Sequence, residues 1–151
     1  MGDVMGDVSF DYRSVSLEDR VALEALCVEY LWRVDHGRAD QIPELFTDDG
    51  VFDSPSVKSI VRGREALVAA WNERVKRSIR TMHQLASCRF SMDGPNRARG
   101  TIGFTLFAYD GEGTGPSEPK LVAEHQDEYE RGADGRWRIR HRRVVSHFGS
   151  V

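Results

Sequence analysis

The stretch VEYLWRVDHGRADQIPELFTDDGVFDSP, residues 28–55, joins the end of a long helix to the first strand of the chain. Upstream of it and into it, Val21, Leu23, Leu26, Cys27, Tyr30, Leu31 and Val34 recur at roughly helical spacing, the pattern of a helix with one apolar face. Ser16 is placed to cap that helix, with Asp19 three residues on as a weak variant of the capping box. Gly37 is a natural stop, because glycine enters the left-handed conformation beyond a helix end at little cost. Asp35 and His36 therefore fall in the last turn. The helix dipole disfavours an anion there. Asp35 reads either as a solvated helix-end residue or as a carboxylate kept for a purpose.

Working outward, Asp40 is expected to cap a short second helix over 41–46, with Pro43 in its permissive first turn. Thr47-Asp48-Asp49-Gly50 reads as a turn, and 51–53 and 60–61 as short strands. A third helix over 64–75 carries Leu67, Val68, Trp71 and Val75 on one face. Long strands are predicted over 80–90, 98–109, 121–131 and 136–148, with a Gly/Pro/Ser-rich loop at 111–119. Gly100 and Gly103 inside the second of them predict bends or bulges. Helices first and antiparallel strands afterwards mean the α+β class. One domain over 16–151 is expected, preceded by a flexible lead-in over 1–15 that orders against another subunit.

The 151 residues carry a formal net charge of −3, and the basic residues are dispersed. That argues against nucleic acid as a partner. No apolar run approaches the roughly 20 residues of a membrane helix, so no membrane partner is expected. The first residues lack the basic start and apolar centre of a secretion signal. The expected compartment is the cytoplasm. Cys27 and Cys88 lie in apolar-patterned elements and read as reduced core thiols rather than a disulfide.

Phosphate-binding glycine loops, the Walker lysine, the GxSxG elbow and HExxH are all absent. No histidine spacing matches a metal box, so neither a metal nor another cofactor is expected. The remaining candidates are a carboxylate, histidines and a tyrosine. His83 lies near the start of a strand, where a side chain points into a concave sheet. A neutral imidazole there accepts a proton near pH 7, and Asp35 is suited to hold its other nitrogen. His83 reads equally as a hydrogen-bonded core histidine, and Tyr30 and His125 as packing residues. Strand alternation groups His83 with Leu85, Ser87 and Arg89, and Ala123 with His125, Asp127 and Tyr129. On the last strand it groups Trp137, Ile139, His141, Arg143 and Val145. Arg138, Arg140, Arg142 and Arg143 then read as an exposed face with one inward member.

The runs Tyr30-Leu-Trp-Arg-Val-Asp35, Ile42-Pro-Glu-Leu-Phe46, Gly63-Arg-Glu-Ala-Leu67, Thr81-Met-His83 and Asp127-Glu-Tyr129-Glu-Arg131 together resemble the SnoaL-like branch of the nuclear-transport-factor-like superfamily. That branch holds polyketide cyclases, scytalone dehydratase, bile acid dehydratase and, more distantly, ketosteroid isomerase. The resemblance implies a cone-shaped α+β barrel, with three N-terminal helices on a strongly curved, mostly antiparallel mixed sheet around a deep pocket. It implies a homo-oligomer, a dimer or trimer. It also implies a catalytic Asp35–His83 pair with Tyr30 nearby, and His125, Phe52, Ser54, Phe107 and Arg143 are the expected substrate-binding residues. The expected activity is that of a cofactor-independent lyase or isomerase acting on a hydrophobic cyclic small molecule. The alternative is a non-catalytic binding or assembly module, like the small subunits of ring-hydroxylating dioxygenases. Scytalone dehydratase carries a second pocket histidine on a strand that has none here, so its chemistry does not transfer whole.

Overall fold

Ser16 starts the first helix as expected: its hydroxyl accepts from the Asp19 amide at 3.1 Å. The Asp19 carboxylate does not serve as the other half of a capping box. It reaches across to the sheet, where it accepts from Trp137 Nε1 at 3.0 Å and Arg131 at 2.8 Å. The computed structural model describes residues 9–150. Its helices are α1 (Leu17–Asp35) and α2 (Arg64–Val75). Its strands are β1 (Phe46–Ser54), β2 (Ser59–Arg62), β3 (Arg80–Met92), β4 (Arg97–Tyr109), β5 (Leu121–Arg131) and β6 (Trp137–Gly149).

The expected second helix is instead two 3-10 turns, Ala39–Gln41 and Pro43–Leu45, and Arg38 rather than Asp40 stands at the start. Pro43 explains the break: it has no amide to continue a helical ladder. The predicted turn at 47–50 is absorbed into β1 as an irregularity, since Phe46 pairs with Ile139 and Val51 already with His141. Of the expected lead-in, residues 1–8 lie outside the described residues. The segment after them is held against β3, with the Asp11 amide on Ser91 Oγ at 2.9 Å and the Met92 amide on Ser14 Oγ at 2.9 Å.

The sheet has six strands in the order β2-β1-β6-β5-β4-β3. Only β1 and β6 run parallel. The sheet curls around the helices without closing, so β2 and β3 remain edges. The buried face of α1, from Leu23 to Val34, packs with Leu67 of α2 against Phe90, Ile102, Tyr129, Trp137 and Ile139 of the sheet. Burying such side chains stabilises by about 1.5–3 kcal/mol each. A second, smaller cluster of Phe104, Leu106, Leu121 and Ala123 lies further along the concave face.

Two bulges correct the expected alternation. On β3, Leu85 pairs with Phe104 and Ser87 with Gly103, leaving Ala86 as an extra residue. The inward set therefore changes from His83 and Leu85 to Cys88 and Phe90. On β6, Ile139 pairs with Tyr129 and His141 with Glu128, leaving Arg140 extra. Beyond it Arg142, not Arg143, turns inward and is fully buried. A single inserted residue exchanges the two faces of everything that follows, because the side-chain period of a strand is two.

Candidate active site

α1 ends at Asp35, and the chain turns away at Gly37 with φ +72°. The Asp35 side chain is 3% exposed and takes three donors from β3. His83 Nδ1 lies 2.6 Å from Oδ1, the His83 amide donates to Oδ2 at 2.8 Å, and Thr81 Oγ1 donates to Oδ1 at 2.8 Å. Arg74 of α2 in turn donates to Thr81 Oγ1 at 3.4 Å. Burial acts to raise the Asp35 pKa. The hydrogen bond and charge of the His83 ring, the His83 amide and Thr81 outweigh it, so the carboxyl lies below its usual range. A carboxylate that the helix dipole disfavours is thus held ionised by its neighbours. Because Nδ1 faces Asp35, Nε2 is left as the lone-pair nitrogen of a neutral ring.

His83 lines a cavity of about 430 Å³ between the helices and the concave sheet. Most of its wall is apolar, formed by residues such as Val34, Phe52, Trp71, Phe104, Leu106 and Val144. The polar groups on it are Tyr30, Ser54, Thr81, His83 and His125, with Arg74 and Arg77. A larger polar groove of about 690 Å³, lined by Asp48, Arg64 and Arg138 among others, does not include the dyad. Its arginines are paired with Asp48, Glu130 and Asp134.

Behind the cavity lies a buried ion pair that alternation did not anticipate. Arg142 donates to Asp127 from Nε at 2.9 Å and from Nη2 at 2.7 Å, and the Tyr129 hydroxyl donates to Asp127 at 2.5 Å. Cys27 completes the group, 3.3 Å from Tyr129 Oη. Arg142 lies 4.2 Å from the Tyr30 ring centroid, a cation–π contact. Burial raises the Tyr30 pKa well above a tyrosine's usual value, although the Arg142 charge opposes it, so the hydroxyl stays protonated. His125 packs edge-on to Tyr30 at 5.6 Å and is held well below the usual histidine pKa, first by burial and then by the charges of Arg142 and His83. His125 Nδ1 and Arg142 Nη1 are buried without a hydrogen-bond partner in the protein. One signal in the sequence pointed to Arg142: an inward Asp127 needs a cation, and the RHRR run opposite supplies one once the bulge is counted.

The structure thus brings His83, Tyr30, His125, Phe52 and Ser54 around one cavity, with Asp35 hydrogen-bonded behind His83 and lining the space on its other side. It does not bring Phe107 or Arg143 there. Phe107 faces the other side of β4, beside Met82 and Gln84, since Phe104, Leu106 and Ala108 take the inward positions. Arg143 is exposed, with Nε 3.9 Å from Asp53. Cys27 and Cys88 are free thiols. Among the described residues no three His, Cys, Asp or Glu side chains gather as a metal-binding set, and no helix is long and apolar enough to cross a membrane.

Helices packed into a curled, open mixed sheet, with a polar dyad whose histidine faces an apolar cavity, define the class: an α+β protein of the cystatin-like fold. The chain belongs to the SnoaL-like domain family, whose model matches residues 15–143. Similar solved structures include ActVI-ORFA of Streptomyces coelicolor, at TM-score 0.72 and 19% identity over 84% of this chain and 96% of that one. A Novosphingobium aromaticivorans protein provisionally called a scytalone dehydratase gives TM-score 0.73 at 16% identity over 87% and 86%. The beta subunit of a provisionally named aromatic-ring-hydroxylating dioxygenase from the same organism gives 0.74 at 14% over 87% and 90%. These identities establish a shared fold alone. Among curated proteins none matches the chain.

Proposed function

We propose that the protein is a cofactor-independent lyase or isomerase that moves a proton on a hydrophobic, cyclic small molecule. The observation that carries this reading is the 2.6 Å Asp35–His83 contact on the wall of a largely apolar cavity of about 430 Å³. His83 Nε2 takes a proton from a carbon next to an electron-withdrawing group. Asp35 orients the ring and stabilises the imidazolium that forms. The electron pair left on carbon either expels a hydroxyl, which takes the proton from His83 and leaves as water, or is delocalised onto a carbonyl oxygen. In the second case the proton returns to a different carbon. Tyr30, held protonated, donates a hydrogen bond to the developing oxyanion, and the buried Arg142 charge behind it favours the same charge build-up. His125, neutral and facing the cavity, orients the substrate, and Phe52 and Ser54 line the same cavity.

A non-catalytic assembly module shares the fold but has no use for an ionised carboxylate aligned on a histidine. The reading keeps the expectation of a homo-oligomer, supported by the exposed apolar side chains of Met82 and Phe148 and tested by sedimentation. The catalytic test is solvent-deuterium exchange and dehydration of a panel of hydrophobic cyclic ketones and β-hydroxy carbonyl compounds, followed by NMR. Wild type is expected to exchange or dehydrate a subset of them. His83→Ala is expected to lose roughly 10²–10⁴ in rate with an unchanged circular dichroism spectrum. A folded variant that keeps the wild-type rate removes His83 from the mechanism.

A further inference from the structure

Resting on the reading that this cavity receives a hydrophobic small molecule, we propose that the ligand is an amphipathic anion whose carboxylate or phosphate sits on Arg74 and Arg77. Trp71 and Arg74, three residues apart, share the face of α2 that lines the cavity. The Arg77 amide donates to the Arg74 carbonyl at 3.2 Å, which continues that turn and keeps the second guanidinium on the same side. Both arginines also line an adjoining space of about 220 Å³ that shares Phe52, Ser54 and Trp71 with the main cavity. No aspartate or glutamate lines either space.

Neither guanidinium has a carboxylate partner, although Arg74 is half-buried. By contrast Arg33 faces Glu29, Arg131 faces Asp19 and Arg142 faces Asp127. Burial and the neighbouring Arg77 charge both disfavour the charged form of Arg74, and Asp35 only partly offsets them. Asp35 and, beside Arg77, Glu73 act on these charges only from outside ion-pair distance, so two like charges at the end of an apolar cavity form a site that an oxyanion completes. The hydrogen-bonded line Arg74–Thr81–Asp35–His83 also sets the distance. The anionic end of the ligand lies a few side chains from the dyad, and its apolar body lies along Phe52, Trp71 and Phe104.

The experiment uses three probes of one shape: naphthalene-2-carboxylate, 2-naphthyl phosphate and the neutral 2-naphthalenemethanol. Binding to the full chain is read by calorimetry and by tryptophan quenching that is lost in Trp71→Phe, since Trp32 and Trp137 also fluoresce. At low salt at least one anion is expected to bind on the order of tenfold more tightly than the alcohol, with the gap closing at high salt. A tighter carboxylate assigns a carboxylic acid, and a tighter phosphate assigns a phosphate ester. Arg77→Gln, at an exposed position, is expected to narrow the gap, and Arg74→Gln/Arg77→Gln to abolish it with the alcohol affinity unchanged. His83→Ala is expected to keep the full preference, which separates this proposal from the catalytic one. An alcohol that binds as tightly as both anions, an absence of anion binding, or a preference that survives in the double variant overturns it.

Discussion

At the scale of single residues, Asp35 and His125 make acid pH costly in two separate windows. Asp35 has its folded pKa lowered, so its contribution is present above the unfolded value, near 3.9, and is lost as pH falls through the folded one. Asp35→Asn is therefore expected to lower stability at neutral pH. The difference from wild type should vanish in strong acid, where both side chains are neutral. His125 also has a lowered folded pKa, but here the favoured form is the neutral one. The unfolded chain takes up a proton below about pH 6.5 while the folded protein resists it, so stability falls by up to about 1.4 kcal/mol per pH unit in that range. Urea midpoints of wild type measured between about pH 7 and pH 5 are expected to decline, and those of His125→Phe to decline less. Parallel slopes would show that His125 takes up its proton without unfolding.

At the scale of the element, strand β6 carries one extra residue. The Arg140 bulge lets Ile139 face the core and then turns Arg142 onto Asp127. Deleting Arg140 removes only the extra residue: Ile139, His141 and Arg142 still stand opposite Tyr129, Glu128 and Asp127, now in strict alternation, so Arg142 stays on Asp127. The deletion and Arg140→Ala are both expected to stay close to wild type, within about 1 kcal/mol for the latter. Arg142→Met instead leaves Asp127 buried without a cation, and an uncompensated buried charge costs about 3–5 kcal/mol. Its denaturation midpoint is expected to fall by a comparable amount or folding to fail; a loss as large in the Arg140 deletion would place the effect in the register and not in the ion pair. Gly100 is a similar element-level constraint on β4: a Cβ there would come within 2.6 Å of the Arg89 carbonyl oxygen, so the strand needs glycine to approach β3 this closely.

For the molecule as a whole, Cys27 reports cooperativity. It is fully buried between α1 and the Arg142–Asp127–Tyr129 group, and burial pushes its thiol up to about 12. A thiol is reactive as the thiolate, so labelling has to wait for α1 to leave the sheet. In a Cys88→Ser background, the labelling rate of Cys27 is expected to follow global unfolding and rise with denaturant accordingly. Fast labelling that ignores denaturant would mean that α1 opens by itself. The parallel β1–β6 pairing argues for a single unit, because it ties the strand after α1 to the last strand of the chain.

Helix α1, its Ser16 cap, its stop at Gly37 and the four long strands were legible in the residues because those signals are local. Capping, helical spacing and turn chemistry each act within a few positions. Asp35 was marked for attention by its unfavourable place at a helix end, and the resemblance paired it with His83. Their actual contact, 48 positions apart in sequence, exists because α1 lies across the start of β3. The second helix was misread because propensity over six residues is weak beside a proline and the pull of β1. Arg142 was missed, and Phe107 and Arg143 were assigned to the wrong face. On the last strand the reason is the bulge: its position is set by how two strands of unequal length share one curved sheet, and neither strand carries that count by itself. Side-chain direction along a strand is inherited from every pairing before it, so only the assembled sheet decided which charge entered the core.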